Sequence, residues 1–251
     1  MEHKHLLSQA LDLWRERGSD NEVAKTLVEL SDANMQIGLD KEGIQQGKEA
    51  LEIFERLGDK ARQADCLTML AWLFQSDAQS DAAEEAAFRA IDLLPEKGQK
   101  YRACGSHRVL GDIYESKGET EKAIHHFEVV IGIASSCSWH HELFLAHYKL
   151  TGLFLREGRF DDTQTHIEHA KSHAVNNAYL LGHATKMQAW IWYQQHRLEE
   201  ARSEVLCAAD LFKKLGIATD MEDCRKILRD IEEELDTPVT SGQSGFNSEL
   251  L

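Results

Sequence analysis

The sequence predicts an all-α protein, a right-handed α-solenoid of antiparallel helix pairs, and three observations support this fold class. Small apolar residues recur every forty residues, at Ala10, Ala50, Ala90, Val130 and Ala170, and Ala208 follows thirty-eight residues later. The chain contains only 2 prolines, and residues of high helix propensity predominate between its turns. Runs of β-branched residues are nearly absent, so no strands are expected. A fixed period of this length indicates stacked units that each cannot bury their own apolar face, and it favours binding over catalysis.

The third unit carries the most regular form of the repeated motif. It contains the segment Leu-Gly-Asp-Ile-Tyr at residues 110–114, followed by Gly118, Ala123 and Phe127. The leucine and tyrosine of that segment lie one turn apart on a first helix and are expected to face the second helix. Gly111 and Ala123 are small enough to let the two helices approach closely. Gly118 follows the first helix, where a left-handed C-cap is expected.

The same frame predicts the other elements in order. We expect a half repeat at residues 1–20, which is the second helix of a pair without its first helix. Complete pairs are expected at residues 21–60, 61–100, 101–140, 141–180 and 181–218, then a capping helix at 219–235 and a disordered tail at 236–251. The fifth pair matches least well, because His196 stands where glycine is usual. Since half a unit leaves an apolar face uncovered, we expect the chain to be a fragment of a longer protein.

The Leu-Gly-x-x-Tyr frame with its following glycine and alanine resembles the tetratricopeptide repeat (TPR), over residues 3–235. HEAT and armadillo repeats also have periods near forty residues, so the period alone does not separate these families. The predicted second helices end in segments such as Ala-Leu-Glu-Ile-Phe-Glu-Arg-Leu-Gly-Asp at residues 50–59. Repeats with such ends are similar to arrays of STAND-type, NLR-like nucleotide-binding proteins, particularly fungal ones. That resemblance implies a sensor arm beside an N-terminal NTPase domain. The chain itself contains no Gly-x-x-x-x-Gly-Lys-Ser/Thr loop.

Charge and cysteine content limit the classes of partner and compartment. The net charge of −15 argues against nucleic acid or an anionic membrane as the main partner, because both require a positive face. The 5 cysteines are scattered without a CxxC motif, so reduced thiols in a cytoplasmic protein are expected. Neither a secretory leader nor a membrane-spanning run is evident. No catalytic motif was found either, so we expect no enzymatic activity and no cofactor.

The TPR resemblance implies a partner-binding groove, because in such arrays the first helices line a concave surface. Helical spacing around the leucine of the frame selects the residues expected to point into it. The predicted groove consists of Asp32, Thr68, Trp72, Gln75, Arg108, Asp112, Glu115, Tyr148, Lys186, Trp190 and Tyr193. Its aromatic residues would anchor a protein or peptide, and its charged residues would pair with charges on that partner. Alternatively, the aromatic side chains pack between adjacent first helices.

These features predict a non-catalytic scaffold that binds a protein or peptide as the sensor or interaction arm of a larger regulatory protein. Two alternatives remain open. One is a small-peptide signal receptor that closes around a short ligand, and the other is an architectural arm that regulates an adjacent NTPase domain. The repeat supplies no specific ligand, because one fold supports many functions.

Histidines form one further group in the sequence. His166, His169 and His173 share a face of a predicted second helix, and His126 lies forty residues before the first of them. No cysteine or carboxylate completes a zinc-ligand set at a recognisable spacing, so no metal site is predicted. A pH-sensitive outer patch is favoured instead, because imidazoles on an exposed face would charge together near about pH 6.

Overall fold

The computed structural model describes residues 2–94 and 100–236, and within those ranges it contains twelve α-helices and no strand. The helices are α1 (Glu2–Glu16), α2 (Asp20–Gln36), α3 (Asp40–Leu57), α4 (Lys60–Ser76), α5 (Ser80–Asp92), α6 (Ala103–Ser116), α7 (Thr120–Cys137), α8 (His140–Arg156), α9 (Phe160–His173), α10 (Ala178–Gln194), α11 (Leu198–Leu215) and α12 (Ala218–Asp236). A 3₁₀ turn, Lys100–Arg102, precedes α6. The predicted all-α, solenoid-type fold class is confirmed.

The chain divides into two compact units, Met1–Cys137 and Ser138–Leu251. In the first unit α1 packs on α2, and the helices then associate as the pairs α2–α3, α4–α5 and α6–α7. In the second unit α8–α9 and α10–α11 are the pairs, and α12 packs on α11. The first helices of successive pairs also touch, as α4 and α6 do in the first unit. Each pair therefore completes its core with helices from the neighbouring pair.

The turn inside each pair follows the chemistry expected for a left-handed C-cap. Gly118 ends the α6 turn with φ +73°, and the amide of Glu119 donates to the carbonyl of Tyr114 at 2.9 Å. In the described part of the chain, three residues that are not glycine adopt the same conformation, namely Ala78 at φ +57°, Ser138 at +55° and His196 at +56°. The prediction for Gly118 is confirmed. His196 takes up the strained conformation that glycine would adopt without cost.

The forty-residue series of small apolar residues lies at the centre of the helix packing. Ala50, Val130, Ala170 and Ala208 are each 0% exposed, and Ala90 is 1% exposed, whereas Ala10 on α1 is half-buried. Gly111 shows why a small residue is needed on the first helix, because a Cβ built there would lie 2.7 Å from the Phe127 ring. Phe127 is fully buried. A larger side chain at Gly111 would therefore force α6 and α7 apart.

The C-terminal prediction falls partly outside the described residues. The capping helix expected at 219–235 corresponds to α12, Ala218–Asp236, but residues 237–251 of the expected tail lie beyond the described part. In the ranges that the structure describes, none of the helices combines the length and apolar character needed to cross a membrane. All five cysteines carry free thiols, of which Cys66, Cys104 and Cys224 are buried.

Candidate partner-binding surface

Seven of the predicted groove residues lie in the first unit, on the first helices α2, α4 and α6. Asp32 is exposed and the other six are half-buried, so each retains some contact with solvent. Because the repeat has a fixed period, residues such as Thr68 and Arg108, forty apart, occupy equivalent places on successive first helices. The complete set in this unit is Asp32, Thr68, Trp72, Gln75, Arg108, Asp112 and Glu115.

The most defined feature of this surface is a contact between Trp72 on α4 and Arg108 on α6. The guanidinium carbon of Arg108 lies 3.9 Å from the centroid of the Trp72 ring, which is a close cation–π contact. One turn earlier, the Thr68 hydroxyl lies 2.6 Å from that of Ser106. The two first helices are therefore joined side by side, through the half-buried Trp72–Arg108 contact and through the bond from Thr68 to the buried Ser106. One face of the Trp72 indole packs against Arg108 of the neighbouring helix, as the alternative interpretation expected. This cation–π contact holds the orientation of the indole.

A recess of about 510 Å³ lies at the α1–α2 end of the first unit. Its apolar part comes from Val28, Ala33 and Met69, and its polar part includes two carboxylates; the lining residues are His3, Val28, Glu29, Asp32, Ala33, Gln36 and Met69. Among the predicted groove residues, Asp32 alone is in that set, and it accepts a hydrogen bond from the Gln36 amide at 2.8 Å. Sequence reasoning did not select Glu29. The residues at the equivalent position of the next two first helices, Met69 and Val109, are buried.

In the second unit the predicted aromatic residues contribute much of their surface to the core. Tyr148 on α8 stacks on Phe144 with ring centroids 5.6 Å apart, and burial raises the pKa of its phenol to about 12. Trp190 on α10 packs against the same core and stacks on Tyr193 at 5.4 Å. Burial and a hydrogen bond to Glu234 raise the pKa of Tyr193 to about 12. These three aromatic side chains therefore support helix packing as well as lining a first-helix surface.

Lys186 was expected to pair with carboxylates of a partner, but the structure engages it within the chain. Its Nζ atom lies 3.0 Å from a carboxylate oxygen of Asp220 and 3.8 Å from one of Asp223, both on α12. The same ammonium group lies 5.6 Å from the centroid of the Phe212 ring. Since Lys186 is about four-fifths buried in these contacts, its place in the structure does not favour the predicted role.

Sequence reasoning missed a repeated histidine contact that the structure reveals. In the first unit Nδ1 of His107 on α6 lies 2.9 Å from Nδ1 of His126 on α7. Forty residues later, in the second unit, Nδ1 of His147 on α8 lies 2.9 Å from Nδ1 of His166 on α9. Comparison of the repeats at a forty-residue offset could have found both pairs, because each first-helix histidine has a second-helix histidine nineteen residues later.

The predicted outer histidine patch is found only in part: His169 is exposed, whereas His126 is buried. His166 and His173 are half-buried between α8 and α9, where His173 lies 3.2 Å from His140 through their Nδ1 atoms. Burial and the neighbouring imidazoles lower the pKa of both, so charging near the usual imidazole pKa is disfavoured. Among residues 2–94 and 100–236, no group of three histidine, cysteine or acidic side chains is arranged to hold a metal ion.

Comparison with solved structures identifies the fold as TPR-like. A Rap protein complexed with Competence and Sporulation Factor superposes with a TM-score of 0.63 at 14% identity, covering 93% of this chain and 72% of that one. BtubC from P. vanneervenii gives 0.66 at 14% identity, covering 98% and 97%. A putative kinesin light chain from P. anserina with nearly identical TPR-like repeats gives 0.63 at 14% identity, covering 76% and 95%. No protein-family model and no curated protein matches the sequence.

Proposed function

We propose that this chain is a non-catalytic scaffold that binds a protein or peptide segment on the exposed surface of its first helices. The observation that carries the proposal is the Trp72–Arg108 contact on adjacent first helices of the first unit. Aromatic and arginine side chains dominate the energetics of protein interfaces, and here both are only half-buried. An indole that is already oriented loses little conformational entropy when a partner packs against it.

Polar neighbours of this pair support recognition of an extended or helical segment. Gln75 lies three residues after Trp72 on α4, and Asp112 lies four residues after Arg108 on α6. At this spacing each of these side chains follows the pair on the same side of its helix. A partner segment that crosses α4 and α6 would therefore meet an aromatic anchor flanked by hydrogen-bonding and charged groups.

The first experiment asks which side chains face the partner. A photoreactive amino acid placed at Gln75 on a first helix is compared with one placed at Glu128, an exposed residue on the second helix α7. We expect crosslinked proteins from Gln75 that are absent from Glu128. Equal adducts at both positions, or adducts at Glu128 alone, would contradict binding through the first helices.

The second experiment measures the energetic role of the Trp72–Arg108 pair with the partner obtained by crosslinking. Trp72→Ala should weaken binding by about 2 kcal/mol or more if the indole is the anchor. Arg197→Ala is the matched control, because Arg197 makes a similar cation–π contact at 3.8 Å with Trp192 in the second unit. Unchanged affinity of a folded Trp72→Ala/Arg108→Ala variant would remove the proposed anchor.

A small-peptide signal receptor is the second candidate. It is supported by the structure of a Rap protein complexed with Competence and Sporulation Factor, because that protein has a similar fold. Ligand-dependent compaction in small-angle scattering would distinguish that receptor from a rigid scaffold. The sequence resemblance to STAND-type proteins further supports, as part of our proposal, a cytoplasmic parent regulator whose NTPase domain this arm serves. Binding of a separately expressed NTPase domain of that class to the chain is the corresponding test.

A further inference from the structure

We propose that His140, His169 and His173 form a binding site for a zinc ion between α8 and α9 in the second unit. The site lies where the amino end of α8 meets the carboxyl end of α9, because His140 begins the one helix and His173 ends the other. It is separate from the first-helix surface of the proposed function. Three observations support it: a nitrogen–nitrogen distance that fits zinc, access of solvent to the imidazoles, and a third imidazole one turn away.

Two imidazole nitrogens have nearly the separation that tetrahedral zinc requires. Nδ1 of His140 lies 3.2 Å from Nδ1 of His173. Because zinc–nitrogen bonds are about 2.0–2.1 Å long, an ion bonded to both atoms would have an N–Zn–N angle of about 100–105°. A regular tetrahedron has about 109°. A rotation of the two rings that turns both lone pairs toward one point is therefore sufficient, and the helices can stay where they are.

The neighbouring imidazole pair between the same helices is less suited to an ion. The Nδ1 atoms of His147 and His166 are 2.9 Å apart, which would compress the N–Zn–N angle to about 90°. His147 is also buried, at 7% exposed. By contrast, His140 is exposed and His173 is half-buried, so an ion and its remaining water ligands can reach their Nδ1 atoms from solvent.

A third imidazole is available on α9. His169 precedes His173 by four residues, so the two side chains lie on consecutive turns of one helix face. The same spacing separates the two zinc-bound histidines of the H-E-x-x-H motif. His169 is exposed, so its imidazole can turn toward the ion without opening the core. Residues 2–94 and 100–236 contain no preset group of three ligands, and this rotation completes the site.

The buried His147 ring packs behind the proposed ligands and limits how far they can turn. It stacks on His169 with ring centroids 4.9 Å apart and on His173 at 5.9 Å. Its own orientation is held by the contact with His166. Residues behind the ligands of a metal site commonly orient those ligands in this way.

The chemistry of the ligand set selects the ion. Imidazole nitrogens suit zinc, whereas calcium and magnesium prefer oxygen ligands. In the metal-free chain one of the two Nδ1 atoms must carry a hydrogen for His140 and His173 to be hydrogen-bonded. Zinc binding requires that hydrogen on Nε2 instead. A neutral imidazole meets this requirement by changing tautomer, with no net loss of a proton.

The test is calorimetric titration of Zn²⁺ alone into the full chain, without an affinity tag and freed of metal, at about pH 7.5, where an imidazole of ordinary pKa is mostly neutral. We expect one ion to bind per chain. His140→Ala, His169→Ala and His173→Ala should each weaken binding at least about tenfold, since even residues behind the ligands contribute that much. His125→Ala is the matched control, because it removes an exposed imidazole from α7, and it should change the affinity less than about twofold.

Thermal unfolding followed by circular dichroism gives a second readout. Zn²⁺ should raise the unfolding midpoint of the native chain and of His125→Ala, because an ion that joins two helices binds the folded chain. It should leave the midpoint of His140→Ala unchanged. Since His140 is exposed, its replacement is expected to leave the metal-free chain folded, and the same spectra verify this.

Three results would overturn the zinc site. The first is a native chain that shows no saturable binding of Zn²⁺. The second is retained affinity in any of the three ligand variants, which would place the ion elsewhere among the 13 histidines. The third is equal weakening by the control, which would mean unspecific binding to exposed imidazoles. Trp72→Ala should leave Zn²⁺ binding unchanged, so the zinc site and the first-helix surface are decided separately.

Discussion

Acidification should destabilise the second unit through His147, and the size of the effect follows from its surroundings. This side chain is 7% exposed on α8. Its Nδ1 atom lies 2.9 Å from that of His166, and its ring stacks on His169 at 4.9 Å. Burial, followed by the nearby imidazoles of His166, His169 and His173, lowers the pKa of His147 from 6.5 to about 3. The neutral ring is thus strongly favoured in the folded chain.

The sign of the pH dependence comes from comparing protons bound in the two states. Between the unfolded pKa of 6.5 and the folded pKa of about 3, the unfolded chain binds the proton and the folded chain does not. The contribution of neutral His147 to the free energy of unfolding is therefore fully present above that pH interval. It is lost as the pH falls through the interval. At about pH 5 the full loss would be about 2 kcal/mol. Allowing for solvent screening, we expect about 1–2 kcal/mol.

The assay is urea denaturation followed by circular dichroism, at about pH 8 and about pH 5, analysed by linear extrapolation. Acidification from the first pH to the second should lower the free energy of unfolding in both proteins. The loss in His147→Gln should be about 1–2 kcal/mol smaller than the loss in the native chain. Histidines remote from His147 are present in both proteins, so their contributions cancel in this difference.

His141→Gln is the matched control for this experiment, because it removes an exposed imidazole from the same helix. It should retain the pH dependence of the native chain. If His147→Gln loses as much stability on acidification as the native chain, the buried imidazole is not the source of the effect. The argument from burial and stacking would then be refuted.

Two further predictions concern exchanges between glycine and alanine. Gly111→Ala should lower the free energy of unfolding by about 1–3 kcal/mol, because the new Cβ would lie 2.7 Å from the Phe127 ring. Gly132→Ala, whose Cβ meets nothing within 4 Å, should raise it by about 0.5–1 kcal/mol, and equal urea midpoints would contradict this reasoning. Ala78→Gly should stabilise the chain by about 0.5–1 kcal/mol because φ is +57° there. Gly118→Ala should have the opposite effect, and scanning calorimetry that finds the same sign for both would contradict the strain argument.

Much of the local structure followed from short-range patterns in the sequence. Glycine after the first helix predicted the left-handed turn at Gly118, and the small residue at Gly111 predicted the close approach of α6 and α7. Both depend on backbone conformation and on residues within one helix pair. The predicted groove residues also lie on first helices, as helical spacing required. Their binding role remains a prediction.

Contacts between polar side chains of different helices were harder to predict, as Lys186 and the histidines show. The position of Lys186 on a first helix suggested that this side chain faces a partner. Instead, its Nζ atom lies 3.0 Å from a carboxylate oxygen of Asp220 on α12. The histidines of α9 were expected on an outer face, yet α8 places His147 against His166. A periodic pattern indicates which face a residue occupies. It does not state which side chain of another helix lies opposite that face.

The sequence by itself determined the helix pairs, their turns and the forty-residue register, because these depend on backbone propensity and on apolar spacing along one helix. The tertiary structure alone decided which polar groups are enclosed and which apolar residues stay uncovered. His147 becomes a buried, stacked imidazole, whereas Leu13 stays 56% exposed although its counterpart Ile53 is 5% exposed. Burial, pKa and free surface all depend on the neighbouring helix, and they are therefore properties of the assembled fold.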